Sequence, residues 1–295
     1  MSPSSAALPW RTLDPQALEF QFNPRVSVPD FARYDTARAT LNATARARHS
    51  SWLDVPYGDH PLHRLDIYPA QTGVGVQDDA VHVFFHGGYW RAQDKANFAF
   101  IGAALAEQGI TTVIPNYELC PASTLDEVVA SARAAFAWVC ANIHRYGGNR
   151  SAISLSGHSA GAHLSAAILS ADWHGNTTIP VALSAVLLVS GVFDPTPAML
   201  TSLNADLHLT PDIANRNNME CQTPQLKAPV TLVVGAREPT HWQDMTVRYA
   251  RQLRQAGYAH VTVHRLPNCH HFNILDAYLD PQGPMRQAIS GANRV

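Results

Sequence analysis

From residue 53 onward the chain alternates two kinds of stretch, and this alternation restricts its fold more than any other feature. Short apolar or period-two runs recur: HRLDIYPA (63–70), AVHVFF (80–85), TTVIPNY (111–117), SAISLSG (151–157), VALSAVLLVSG (181–191), PVTLVVG (229–235) and HVTVHRL (260–266). Between them lie stretches with helical spacing, including NFAFIGAALAEQG (97–109), TLDEVVASARAAFAWVCANIHRYGG (124–148), AGAHLSAAILSA (160–171) and HWQDMTVRYARQLRQAG (241–257), and a last helix is expected from about Phe272. Strand, helix, strand, helix in this order predicts an α/β fold with a mostly parallel central sheet and helices on both faces. Continuous apolar runs such as 80–85 are what strands covered on both sides require. The segment 192–228 shows no clear period and is long for a plain connection, so it is expected to help shape a site.

Residues 1–52 differ from the rest. Pro, Asp, Ser and Asn are frequent up to Pro29, and an Ala- and Arg-rich stretch follows, with Asp30 as its expected helix cap. This predicts an N-terminal arm and one helix packed on a main domain of residues 53–295, with a leader lacking fixed structure as the alternative for the first dozen residues. The helix is expected to cover part of a site mouth.

The bulk numbers exclude several classes. A chain of 295 residues, 46% hydrophobic and 15% charged, can bury a large core without disulfides or metals. A net charge of -2 does not suit a nucleic-acid binder. No apolar run has the length of a membrane span, and no basic-then-apolar start marks a secretory signal. Cys120, Cys140, Cys221 and Cys269 form no CxxC pair and no zinc spacing, so free thiols and a reducing, cytoplasmic setting are expected. His158 and His163 are five apart and share no helix face, and neither H-E-x-x-H nor a strand-following G-x-G-x-x-G occurs, so no metal or dinucleotide cofactor is expected. No exposed apolar heptad marks an oligomer contact; a homodimer is the common arrangement.

The chemistry concentrates in ISLSGHSAGAH (153–163), where Gly157-His158-Ser159-Ala160-Gly161 follows a strand and opens a helix. G-x-S-x-G in that setting makes a tight turn that lifts the Ser159 hydroxyl to the sheet tip at a helix N-terminus. A serine needs a base. The order serine, acid, histidine points to LPNCHHFNILD after the last strand, where His271 is the choice and His270 the alternative. The orienting acid belongs after the preceding strand, at Glu238 in VTLVVGAREP, with Asp244 and Asp194 as alternatives. Cys269, near this histidine pair, is read as a packing thiol.

HGGYW (86–90) stands after an early strand, where lipases and esterases carry an HGGG-type sequence that aims backbone N–H groups at an oxyanion. Gly87, Gly88 and Ala160 are the expected donors. His86, Tyr89 and Trp90 are expected to contact substrate, with Tyr89 and Trp90 crowding the acyl side and lining a flat apolar pocket; Arg91 is a candidate partner for a substrate carboxylate.

HGGYWR (86–91) with GHSAGAH (157–163) resembles the arylformamidase, or kynurenine formamidase, branch of the α/β-hydrolases. FQFNPRVSVPD, LDVPYGDHPLHRLDIYPA, DKANFAFIGAALAEQG, PNYELCP and LLVSGVFDPTP are similar to segments of that branch, so the resemblance covers most of the chain. It implies an α/β-hydrolase domain without a cofactor, a triad of Ser159, Glu238 and His271, and an oxyanion hole on the HGGYW glycines. Many members carry aspartate where Glu238 stands. The implied reaction is hydrolysis of small N-formyl aromatic amides, N-formylkynurenine first. The alternatives are a carboxylesterase, an aryl amide or carbamate hydrolase, and a ligand- or partner-binding protein that does no chemistry.

Overall fold

The computed structural model describes residues 10–71 and 79–290. Eight strands form one sheet: β1 (Trp52–Pro56), β2 (Arg64–Tyr68), β3 (Asp79–Phe85), β4 (Ile110–Pro115), β5 (Gly148–His158), β6 (Ala185–Val189), β7 (Val230–Gly235) and β8 (Val261–Leu266). Their order is β1-β2-β4-β3-β5-β6-β7-β8. The pairs β1–β2 and β2–β4 are antiparallel and all others parallel. This is an α/β-hydrolase sheet, and strand β1, beginning at Trp52, takes up the last residue of the expected arm.

Period two sorts the strand side chains between two cores. Val81, Val83 and Phe85 of β3, Leu155 of β5, and Val186 and Leu188 of β6 face one side. Phe84, Leu187 and Val189 face the other. The first side is covered by α1 (Pro15–Phe22), α5 (Leu125–Asn142), α6 (Ala160–Leu169) and α9 (Thr240–Gln255). The second is covered by α3 (Ala32–Arg48), α4 (Ala99–Ala106) and α10 (Pro284–Ser290). Helix α5 starts in a full capping box, with Thr124 and Glu127 satisfying each other's backbone N–H groups. In β2, Asp66 is fully buried but paired, 2.9 Å from Arg46 of α3 and 3.0 Å from Lys95.

Three sequence expectations are revised. The N-terminal segment holds more than one helix: α1 and α2 (Pro24–Ser27) precede α3, each with Pro at its start and an Asp or Asn cap. Asp30 does not cap α3; the cap position is Phe31, and Asp30 instead pairs with Arg33 at 3.0 Å. Of the first dozen residues, 1–9 lie outside the described residues, while Trp10–Thr12 forms a 3-10 turn with Trp10 buried. At the other end, a 3-10 helix, Asn273–Leu279, replaces the helix expected near Phe272. The α-helix proper begins only at Pro284, because Pro281 disfavours helical backbone at Asp280. The aperiodic segment 192–228 is built of short pieces, among them α7 (Asn204–Leu207) and α8 (Pro211–Arg216). Among the described residues no helix is long and apolar enough to cross a membrane.

Candidate active site

Ser159 sits between β5 and α6 with φ +56 and ψ −118, a conformation that non-glycine residues rarely adopt. The flanking glycines make this turn possible. A Cβ on Gly161 would lie 1.9 Å from the Phe85 carbonyl oxygen, so β3 and α6 approach each other backbone to backbone. The Ser159 N–H is held by the Val189 carbonyl at 2.8 Å, which fixes the elbow to β6.

The loop after β8 brings His271 to this elbow. Its Nε2 lies 3.0 Å from Ser159 Oγ and its Nδ1 2.9 Å from Glu238 Oε2. The second carboxylate oxygen of Glu238 accepts from the Gly235 N–H at 2.8 Å and from Ser190 Oγ at 2.5 Å. All four side chains are buried. Three of the sequence-derived candidates, Ser159, Glu238 and His271, thus stand in one hydrogen-bonded row. Their alternatives lie elsewhere. His270 meets the Tyr34 hydroxyl of α3 at 2.7 Å. Asp244 pairs with Arg248 on α9. Asp194 accepts the Thr196 N–H at 2.9 Å. Burial raises the pKa of the Cys269 thiol, whose residue packs beside the second core.

His158, the middle residue of Gly-His-Ser, supports the row from behind. Its Nε2 is 2.9 Å from the His271 carbonyl, and its ring is 4.7 Å from that of His271. Burial, and then the neighbouring His271, hold its pKa well below the usual histidine value, so it stands there uncharged. Trp242 of α9 lies edge-on to His271 at 4.7 Å and donates through Nε1 to the Ser190 carbonyl at 2.9 Å.

In HGGYW, Gly87 passes so close to the nucleophile that a Cβ there would lie 3.2 Å from Ser159 Cβ. Gly88 has φ +116 and lines the same cavity. Ala160, as the first residue of α6, has an N–H that the helix itself does not satisfy. The three expected donors therefore surround Ser159. The three expected substrate contacts separate. Tyr89 lines the cavity, and its hydroxyl donates to the Phe22 carbonyl at 2.9 Å, tying the loop to α1. Trp90 does not reach the cavity: it is fully buried, edge-on to His163 of α6 at 4.9 Å. Its backbone is left-handed, φ +56, like that of Tyr89, φ +52. His86 is buried as well, stacked between Phe98 and Tyr117, with Nδ1 2.8 Å from the Gly87 carbonyl; Tyr117 donates to the His86 carbonyl at 2.7 Å. It shapes the loop and is not among the cavity-lining residues.

The cavity over Ser159 has a volume of about 240 Å³, below the roughly 300–1,000 Å³ usual for drug-sized ligands. It is lined by Ser159, His271, Gly87 and Gly88, by Phe272 and Leu203, and by one face each of α2 and α3. Arg91 lines it too, paired with Asp206 of α7. Sequence reasoning missed Ser190 and Trp242, and it named no single residue of α3, the helix it expected at the site mouth. The i, i+3, i+4, i+7 spacing of Asp35, Arg38, Ala39 and Asn42 marks one face of α3, and that face lines the cavity. Among the described residues one trio has metal-ligand character, His60, His63 and Glu118, with ligand atoms within 4.8 Å of one another; none lines the cavity.

A family model described as BD-FAE matches residues 65–186. The chain is 31% identical to a kynurenine formamidase of Salmo salar over 92% of its length and 94% of that protein. It is 30% identical to a kynurenine formamidase of Danio rerio over the same shares. Among solved structures, an esterase of the archaeon Pyrobaculum calidifontis superimposes with a TM-score of 0.69 at 19% identity, covering 94% of each chain.

Proposed function

The chain belongs to the kynurenine formamidase family of α/β-hydrolases and is a hydrolase, and from that premise we propose that it cleaves the amide bond of N-formyl arylamines, with N-formylkynurenine as the first substrate. The observation that carries this reading is the extent of the similarity. It spans 92% of the chain and so takes in the N-terminal helices that wall the cavity, not only the widely shared serine turn.

In this proposal Ser159 is the nucleophile. His271 Nε2, 3.0 Å away, takes the hydroxyl proton as Oγ bonds to the formyl carbon. Glu238 at Nδ1 keeps the imidazole in the receptive tautomer and stabilises the imidazolium. The N–H groups of Gly87, Gly88 and Ala160 receive the oxyanion, each such donor lowering the barrier by roughly 3 kcal/mol. The C–N bond then breaks, the His271 proton goes to the leaving arylamine nitrogen, and a formyl ester remains on Ser159. Water, deprotonated by His271, attacks this ester and releases formate. The narrow approach between Gly87 and Ser159 suits an acyl group with no side chain, and Phe272 and Phe31 offer ring surface to the aryl part.

The test is a panel of N-formylkynurenine, formanilide, acetanilide and p-nitrophenyl acetate under one set of conditions. The reading expects both formyl amides to be turned over with kcat/KM well above that for acetanilide. Turnover of the ester without either formyl amide would replace it with a carboxylesterase.

A further inference from the structure

The β1–β2 connection and the stretch after β4 meet away from the cavity, because β2 and β4 run antiparallel with Leu65 opposite Pro115. This register sets His63 beside Glu118, 55 residues further along the chain, with Nε2 2.9 Å from Oε1. His60 completes a trio: one ligand atom from each residue lies within 4.8 Å of the others, and all three residues are partly buried. None of them lines the cavity over Ser159.

The three side chains are held from behind. The His63 N–H donates to the His60 carbonyl at 2.8 Å, so both rings hang on one tight turn, their centres 5.2 Å apart. Arg64 closes that turn from its other end, donating to the Gly58 and His63 carbonyls at 3.2 and 2.9 Å. Gly58 leaves the ring its place, since a Cβ there would collide with His63 Nδ1. Tyr57 stacks on His63 at 4.7 Å. On the other side Ser123 Oγ donates to Glu118 Oε2 at 2.6 Å, which keeps Oε1 turned toward His63. Outer partners of this kind are what orient the ligands of metal sites.

We propose that His60, His63 and Glu118 bind a divalent cation of the zinc class, with water in the fourth position. Two imidazoles and one carboxylate suit zinc, whereas magnesium and calcium take oxygen ligands, and a set without thiolate does not favour a softer ion. Zinc bonds of about 2.0–2.2 Å put the ligand atoms of a tetrahedral site roughly 3.4 Å apart. His63 and Glu118 already stand near that spacing, and a movement of the His60 ring by about 1–2 Å completes the set. His60 then gives up the 3.1 Å hydrogen bond that its Nδ1 accepts from the Leu62 N–H, and water takes that N–H at this partly exposed turn. The site is structural. It ties the β1–β2 turn to residues 117–120, which hold the oxyanion loop: Tyr117 donates to the His86 carbonyl at 2.7 Å and the Cys120 N–H to the Trp90 carbonyl at 2.8 Å. A bound ion adds to the stability of this region and leaves the reaction to the triad, whatever the substrate.

The experiment titrates the full chain, treated with EDTA and exchanged into chelator-free buffer, with Zn2+ in a calorimeter. One site per chain should fill, and the thermal unfolding midpoint should rise with zinc concentration. Mg2+ should do neither. Ser123→Ala keeps all three ligands and should weaken zinc binding about ten- to a hundredfold; His60→Gln, at the partly exposed turn, should weaken it at least as much. His174→Ala, at an exposed histidine elsewhere, should leave it unchanged. X-ray absorption of the zinc-loaded wild-type chain gives a reading that needs no variant, and it should show imidazole and oxygen ligands only. No zinc site in the wild type, wild-type affinity in both Ser123→Ala and His60→Gln, equal binding of Mg2+, or sulfur among the ligands would each overturn the proposal.

Discussion

Ser190 Oγ donates a 2.5 Å hydrogen bond to the Glu238 carboxylate, on the oxygen opposite the one that faces His271. Ser190 directly follows β6 with φ +49 and is fully buried, so the backbone holds a strained conformation to present this hydroxyl. Together with the Gly235 N–H it fixes the position of the Glu238 carboxylate. A glutamate can replace an aspartate here because its far end is anchored on two sides.

Replacing Ser190 with alanine should therefore reduce kcat about tenfold, the loss of one hydrogen bond to a buried charged group. Glu238→Gln should lose on the order of a thousandfold or more, because an amide cannot stabilise the imidazolium. Steady-state kinetics of the two variants decide this. Equal rates for Ser190→Ala and wild type would show that the Gly235 N–H alone suffices.

For Ser159→Ala the expectation is a loss of at least about a thousandfold in kcat with the fold intact. A fluorophosphonate probe should label the wild-type chain at this residue and fail to label the variant. Retained turnover, or labelling elsewhere, would assign the nucleophile to another group.

Trp90 separates a core role from a ligand role. Its ring is fully buried against His163, so Trp90→Ala should destabilise the fold by about 3–5 kcal/mol. Urea denaturation measures this directly. A variant of normal stability with a raised KM would instead return Trp90 to the substrate pocket.

Buried histidines predict how stability depends on pH. Burial pushes His82 down to about 3 and His163 down to about 4, while in the unfolded chain each titrates near 6.5. Between those values the unfolded chain binds protons that the folded one does not, so stability falls as pH drops below about 6.5. Each histidine contributes a slope of about 1.4 kcal/mol per pH unit. His163→Gln should remove one such slope from urea-derived stabilities between pH 6 and 4.5. An identical slope in the variant would mean that His163 is protonated in the native state.

The sequence by itself determined the order of the elements and the identity of the residues at strand ends. Strand and helix periods are local, and a serine between two glycines, after a strand and before a helix, has few conformations open to it. The positions of Glu238 and His271 after β7 and β8 were legible for the same reason: parallel strands deliver their following loops to one edge of the sheet. Other features were decided only when distant segments met. Neither the outward turn of Tyr89 nor the inward turn of Trp90 is written in HGGYW, because the direction of each ring depends on left-handed backbone and on where α6 lies. Ser190 and Trp242 reach the site across β6 and α9, which no local pattern relates. Helix α3 turns a charged face toward the cavity, since its apolar contacts are few and its placement is set by long-range bonds from Arg38 to Asp276 and from Asn42 to Asn97. Periodicity reports which residues share a face. What that face meets depends on contacts hundreds of residues apart, and those exist only in the folded chain.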